Sequence, residues 1–184
     1  MINYSKMHAS NFEFSEEERE ALSELEPLIV EHAEEIVNSV LVAAAKNKEI
    51  LNVLEKNGVT AEDAKNAWIK GLKFIFSAND PKDITDEMVK IGLVHVEKDV
   101  KEDLVIQAIT LFIEKTHLVL NKYTEIDTLK LRALTKAFNF VLLLMISAYR
   151  NELEEREKAV LTFMGISPEL LKRQIILGKK DLKK

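Results

Sequence analysis

The sequence predicts an all-α protein, and three observations carry that expectation. Chain breakers are scarce, with 5 Gly and 3 Pro in 184 residues. Apolar residues recur at helical spacing along the chain, and no segment alternates apolar and polar residues between turn signals as a half-buried strand does. Cap-forming residues stand where the helical patterns begin and end.

The elements follow in order. Ser15 before Glu16, Glu17 and Glu18 is a capping box that opens the first helix. Pro27 suits the first turn of a second helix, whose apolar positions Ile29, Ala33, Ile36, Val37, Val40 and Ala44 share one face. A short helix around Glu49–Lys56 ends at Asn57-Gly58. Thr60 caps the next helix, with Ala64, Ala67, Trp68, Gly71, Leu72 and Ile75 on its buried face. The small residues early on that face allow close approach of another body, either a helix or a flat ligand.

Asn79-Asp80-Pro81 reads as a loop. Thr85 then caps a short helix bearing Met88, Ile91, Gly92 and His95 on one side. A helix opens at Lys101 or Glu102 and runs to about Tyr123. A long last helix runs from about Asp127 to Met164 and stops at Gly165. Ser167 and Pro168 start a terminal helix. The expected organisation is one folding unit over residues 1–166 and a helical extension over 167–184.

Two helices are apolar around too much of their circumference for a simple surface position. Beside its main face, the Leu104–Leu120 segment carries Leu104, Leu111 and Leu118. The last helix carries Phe140, Leu143, Leu144 and Ser147 beside Leu134, Phe138, Val141 and Met145. Such helices are central in a core or face a partner.

Composition narrows the function. The absence of Cys excludes disulfides, thiolate nucleophiles, Cys-ligated zinc and iron–sulfur clusters. A net charge of −5 speaks against nucleic acid or an anionic membrane as partner. The basic stretch from Gly178 to Lys184 reads as a solvated helix end. Residues Met1–Asn11 lack the apolar core of a signal peptide. The run Phe138–Tyr149 falls short of the ~20 apolar residues of a membrane span. The expectation is a soluble, cytoplasmic protein with no membrane partner.

Candidate chemistry centres on the four histidines. His8 lies in the N-terminal arm. His32 sits among Glu31, Glu34 and Glu35 and reads as a surface charge partner. His117 reads as a packed or interface residue. A di-iron bundle needs Glu-x-x-His on two helices, which these four do not supply. His95 closes the apolar stripe of its helix, with Gly92 one turn before it. That placement suits a buried core histidine. On periodicity alone the core reading is the commoner one, but the placement also suits a haem ligand, which needs a neutral imidazole aimed from an apolar wall.

A resemblance bears on that choice. Phe12–Leu41 reads FEFSEEEREALSELEPLIVEHAEEIVNSVL, which is similar to the entry of the globin-coupled sensors and protoglobins: an S-E-E-E start, L-x-x-L-x-P, then H-A-x-E-I-V. Lys90-Ile91-Gly92-Leu93-Val94-His95-Val96 corresponds to that family's R-I-x-x-x-H pattern. The resemblance covers roughly residues 12–155. It implies a globin-like fold with an extra N-terminal segment, dimeric through the last two main helices.

The resemblance also implies haem b held by His95 as proximal iron ligand, with Leu41, Ala64, Ala67, Trp68, Gly71, Ile91, Gly92 and Val96 as further cofactor-binding positions. Leu41 falls where many members carry a tyrosine that bonds oxygen, and Trp68 is expected to face a neighbouring helix. After the histidine, Asp99-Val100-Lys101-Glu102 replaces the usual Gly-Leu and following Pro, and Leu104-Val105 an aromatic pair. The function implied is binding of a diatomic gas (O2, CO or NO) as a gas or redox sensor, not an enzyme, with a separate signalling partner or a simple carrier role both open. The alternative is a haem-free globin-fold dimer acting as a protein-interaction module.

Overall fold

The computed structural model describes residues 13–78, 81–171 and 173. Among them are seven long helices and no strand: α1 (Glu16–Glu31), α2 (Ala33–Ala44), α3 (Lys48–Lys56), α4 (Ala61–Ser77), α5 (Pro81–Glu97), α6 (Glu102–Leu120) and α7 (Thr128–Phe163). His8, the turn at Asn79-Asp80 and most of the 167–184 extension lie outside the described residues. Helix does resume at 168–171, where the Leu170 amide lies 3.4 Å from Ser167 Oγ.

The α1 cap reaches further than its sequence signature shows. Ser15 Oγ accepts from the Glu18 amide at 3.2 Å, and Glu18 Oε2 accepts from the Ser15 amide at 3.0 Å. The same buried carboxylate meets Lys136 Nζ at 2.8 Å and Arg132 Nε at 3.0 Å, both from α7. Lys136 first, then the Ser15 amide, hold Glu18 below the usual carboxylate range. A local cap thereby also fastens α1 to α7.

Pro27 does not open a second helix. It lies inside α1, and the break falls five residues later at His32, with φ −97° and ψ 14°. Packing explains the shift, since Leu25 and Ile29 on either side of Pro27 are fully buried and hold α1 in register. Hydrogen bonds still cross the junction, from the His32 amide to Leu28 O (2.9 Å) and from the Ile36 amide to His32 O (3.0 Å). The expected face from Ile29 to Ala44 therefore stays continuous and entirely buried.

α5 starts at Pro81, four residues before the expected cap, and Thr85 is buried within it. A proline lacks the amide that a first turn leaves unpaired, so it opens a helix at no cost in hydrogen bonds. α6 ends at Leu120, short of Tyr123. The Tyr123 ring instead stacks on His32 with centroids 3.7 Å apart, and its hydroxyl donates to Glu35 at 2.8 Å.

α7 is the spine of the fold and packs against α5, α1 and α6. Leu134, Phe138, Val141 and Leu144 are fully buried along it. By length and composition α7 is able to cross a membrane, more than the Phe138–Tyr149 run alone suggested, but these apolar residues face the bundle's own core. Of the second apolar faces, read as either core or partner-facing, Leu104 and Leu144 are buried in that interior, whereas Leu118 stays half exposed.

α5 approaches α7 closely at Gly92. A Cβ there would lie 2.7 Å from the Met145 carbonyl oxygen and 3.1 Å from Ala148 Cβ, so the side-chain-free backbone of Gly92 rests against the α7 backbone. Gly92→Ala should therefore destabilise the protein by about 1–3 kcal/mol, the usual cost of overpacking, read as a lower urea midpoint. An unchanged midpoint would show that the two helices separate freely.

Candidate functional site

α4 is held by α1 and α2, whereas α5 is held by α7. Because they lean on different supports, a cavity of about 450 Å³ stands between them, closed at the sides by α3, α6 and α7. Larger hollows exist, such as one of about 790 Å³ beside Glu31, Glu34, Glu35, Lys115 and Lys122, but they are more open to the outer surface. The α4–α5 cavity is walled chiefly by apolar side chains, among them Leu72, Ile91, Leu104, Ile109, Phe112, Phe138 and Met145.

Two of the small residues of α4 face this space. Ala67 and Gly71 line the cavity, and a Cβ at Gly71 would meet nothing within 4 Å. Trp68 lies between them on the same wall, its ring edge-on to Phe112 at 5.5 Å between centroids and 63° between planes. The expectation that Trp68 faces a neighbouring helix is corrected in part: it touches Phe112 of α6 and also borders the cavity.

On the opposite wall His95 lines the cavity, and its Nδ1 lies 2.7 Å from the Ile91 carbonyl oxygen. A carbonyl only accepts, so Nδ1 carries the proton and Nε2 keeps a free lone pair. Burial pushes the ring's pKa below its ordinary 6.5, and the Ile91 bond opposes this without overcoming it. The imidazole is neutral at pH 7, the form that ligates a metal.

The backbone of His95 is fixed as well. The Val100 amide donates to His95 O at 2.9 Å and the Asp99 amide to Val96 O at 3.1 Å, which is a Schellman ending of α5. Its left-handed position is taken by Asp99, with φ 52°, where glycine is the usual choice. The Asp99 carboxylate pairs with Lys56 at 2.8 Å, tying this corner to α3. The Tyr149 hydroxyl of α7 donates to the Val100 carbonyl and closes the loop from the other side.

Of the positions expected to bind a cofactor, Ala67, Trp68, Gly71, Ile91 and His95 line the cavity together. Leu41, Ala64, Gly92 and Val96 do not. Leu41 packs half-buried on the core, and no residue of α2 borders the cavity. Ala64 is buried outside it. Gly92 and Val96 lie four residues apart on another face of α5 from His95, and Gly92 abuts α7. Phe112, Phe138 and Met145 are wall residues that sequence reasoning placed only on apolar faces.

Among the described residues no three or more metal-binding side chains cluster. A single neutral histidine on an apolar wall instead fits a metal that brings its own planar ligands. The family model for protoglobins matches residues 6–155. The chain belongs to the protoglobin family. It is also similar to an uncharacterized protein of Methanocaldococcus jannaschii, 28% identical over 186 residues, which span 97% of this chain and 95% of the relative. The all-α, globin-like architecture expected from the resemblance is the one this protoglobin has.

The low pKa of His95 has a stability consequence. Between its depressed folded value and the ordinary 6.5, the unfolded chain binds a proton that the folded haem-free chain does not. Stability from this group is thus present above about pH 6.5 and is lost as the pH falls through the folded value. Urea unfolding of haem-free protein at pH 7.5 and 5.5 should show this loss, by at most ~1.4 kcal/mol per pH unit. His95→Gln should lose less; equal losses in both proteins would assign the acid sensitivity elsewhere.

Proposed function

We propose that this protoglobin holds haem b in the α4–α5 cavity through His95 Nε2 and binds a diatomic gas (O2, CO or NO) on the α4 side, as a gas or redox sensor. The observation that carries the reading is the 2.7 Å contact of His95 Nδ1 with Ile91 O. It sets the tautomer and ring orientation, as a partner on the second nitrogen does for a metal-bound histidine. The cavity falls within the 300–1,000 Å³ range of roughly ligand-sized sites, and its wall is mostly apolar. Lys90 at the rim, 3.6 Å from Glu87, supplies a cation for acidic groups projecting from the cavity. Haem would supply an iron able to take a neutral diatomic ligand, and the protein supplies the histidine, the apolar walls and the rim charge.

The reading is of a binding protein, not an enzyme, acting in the cytoplasm through a separate signalling partner. An absorption spectrum of the purified protein, oxidised, reduced and with CO, tests it. A Soret band that shifts with CO is expected. His95→Ala should bind haem at least about tenfold more weakly, and added imidazole should restore the spectrum. Full haem content with an unaltered spectrum in that variant would remove His95 from the proposed role.

The same reading includes a homodimer through α6 and α7. Ile106 and Leu118 remain exposed on α6, and burying one such side chain is worth ~1.5–3 kcal/mol. Light scattering at micromolar concentration should give twice the 21.0 kDa chain mass, and Leu118→Glu should shift it toward the monomer. A monomeric wild type would sink this part of the proposal.

A further inference from the structure

α3 is held differently from the other helices. It has nine residues and no buried side chain. Among the described helices it alone has no extended packing contact with another. A helix shorter than roughly 12–15 residues is marginal in water by itself, so α3 depends on what lies against it. Ile50, Val53 and Leu54, at i, i+3 and i+4, share one face, and all three border the α4–α5 cavity.

The side-chain ties of α3 and its caps to other elements all run to one corner. Asn47 donates to Gln107 Oε1 at 2.9 Å, and Asn57 donates to the Lys98 carbonyl at 3.0 Å. Glu49 meets Lys101 at 3.5 Å, and Lys56 meets Asp99 at 2.8 Å. These contacts are exposed, where ion pairs contribute little and are screened by salt. They join α3 to residues 98–107, the stretch that follows His95 and opens α6.

We propose that α3 is a flap whose helical order depends on the ligand in the α4–α5 cavity, so that occupation of the cavity is read at the protein surface as the ordering of residues 48–56. The identity of the ligand rests on the haem reading above, and the flap rests on the packing of α3. A flat apolar ligand gives Ile50, Val53 and Leu54 a surface to cover, and burial of apolar area is the stabilisation that α3 otherwise lacks. α5 does not share this dependence, because Gly92 seats it on α7. Nor does α2, in which Ile36, Val37 and Val40 are fully buried. Coupling of this kind is reciprocal. A partner that holds α3 down tightens the ligand by the same factor, and one that draws α3 away loosens it. The flap thereby gives a signalling partner a place to act on the site without entering it.

Hydrogen exchange read by mass spectrometry on the full chain tests this, with α2 as internal reference. Wild type is measured haem-free and after addition of haemin, and the Soret band records uptake. A third sample, haem-free Gly71→Leu, fills part of the cavity from α4, where a Cβ meets nothing within 4 Å. In haem-free wild type, residues 48–56 should exchange at least about tenfold faster than α2. Haem should slow them by at least about tenfold more than it slows α2.

Residues 48–56 as well protected as α2 in the haem-free protein would overturn the flap. So would haem-loaded protein in which both segments gain protection equally, and that result leaves the haem reading standing. Where haemin is not taken up, Gly71→Leu decides. Slower exchange of residues 48–56 in that variant, by about threefold or more, keeps the flap and sinks the haem reading alone, and unchanged exchange sinks both.

Discussion

The meeting of α5 and α7 at Gly92 is the constraint on which the rest of the molecule depends. A helix side chain is normally interposed where two helices cross. Here none fits, because a Cβ at Gly92 would lie only 2.7 Å from the Met145 carbonyl oxygen. Contact this close fixes the rotation of α5 about its own axis. Gly92 and Val96 are turned toward the interior, and Ile91, Val94 and His95 are thereby turned toward the cavity. The Schellman ending of α5 and the Tyr149 bond to Val100 then hold the helix along its length. The histidine is positioned by backbone packing, and the carbonyl one turn earlier sets its tautomer.

The second half of the site is made by supports that keep α4 away from α5. α4 leans on α1 and α2, and Lys65 bonds Glu34 at 2.6 Å across that contact. Small residues at Ala67 and Gly71 then leave space where larger ones would fill it. A cavity wall without packed neighbours forgoes dispersion contacts, at about 24 cal/mol per Å³ in buried cavities. A ligand filling the cavity should therefore stabilise the fold strongly by mass action, so occupation and stability are coupled in this architecture.

Departures from the family pattern gain physical meaning in this setting. Asp99 stands where glycine is usual, and it adopts the left-handed backbone glycine would adopt. Asp tolerates that region better than most residues, and its carboxylate gains the Lys56 pair. The corner therefore keeps its shape with a different residue. Leu41 shows the opposite case. It was read as a distal residue from its place in the pattern, but it packs half-buried on the core and away from the cavity. Trp68, expected to face a neighbouring helix, meets Phe112 and also borders the cavity.

The sequence by itself determined the helical class, the buried face from Ile29 to Ala44, the caps at Ser15 and Thr60, the start of the last helix near Asp127 and its stop at Gly165. These depend on period and on contacts within four residues, which a linear pattern contains. It also singled out His95 and the small-residue face of α4. It did not determine what that face meets, since a helix and a ligand demand the same small side chains. Nor did it determine which side of α5 Gly92 serves: a glycine beside a ligand and a glycine beside a helix are alike in one dimension. The break at His32 in place of Pro27, the α1–α7 ion pairs of Glu18 and the withdrawal of Leu41 from the cavity depend on residues far apart in the chain. Only tertiary packing decides these, because the energy that selects among helix rotations comes from contacts between helices and not from those within one.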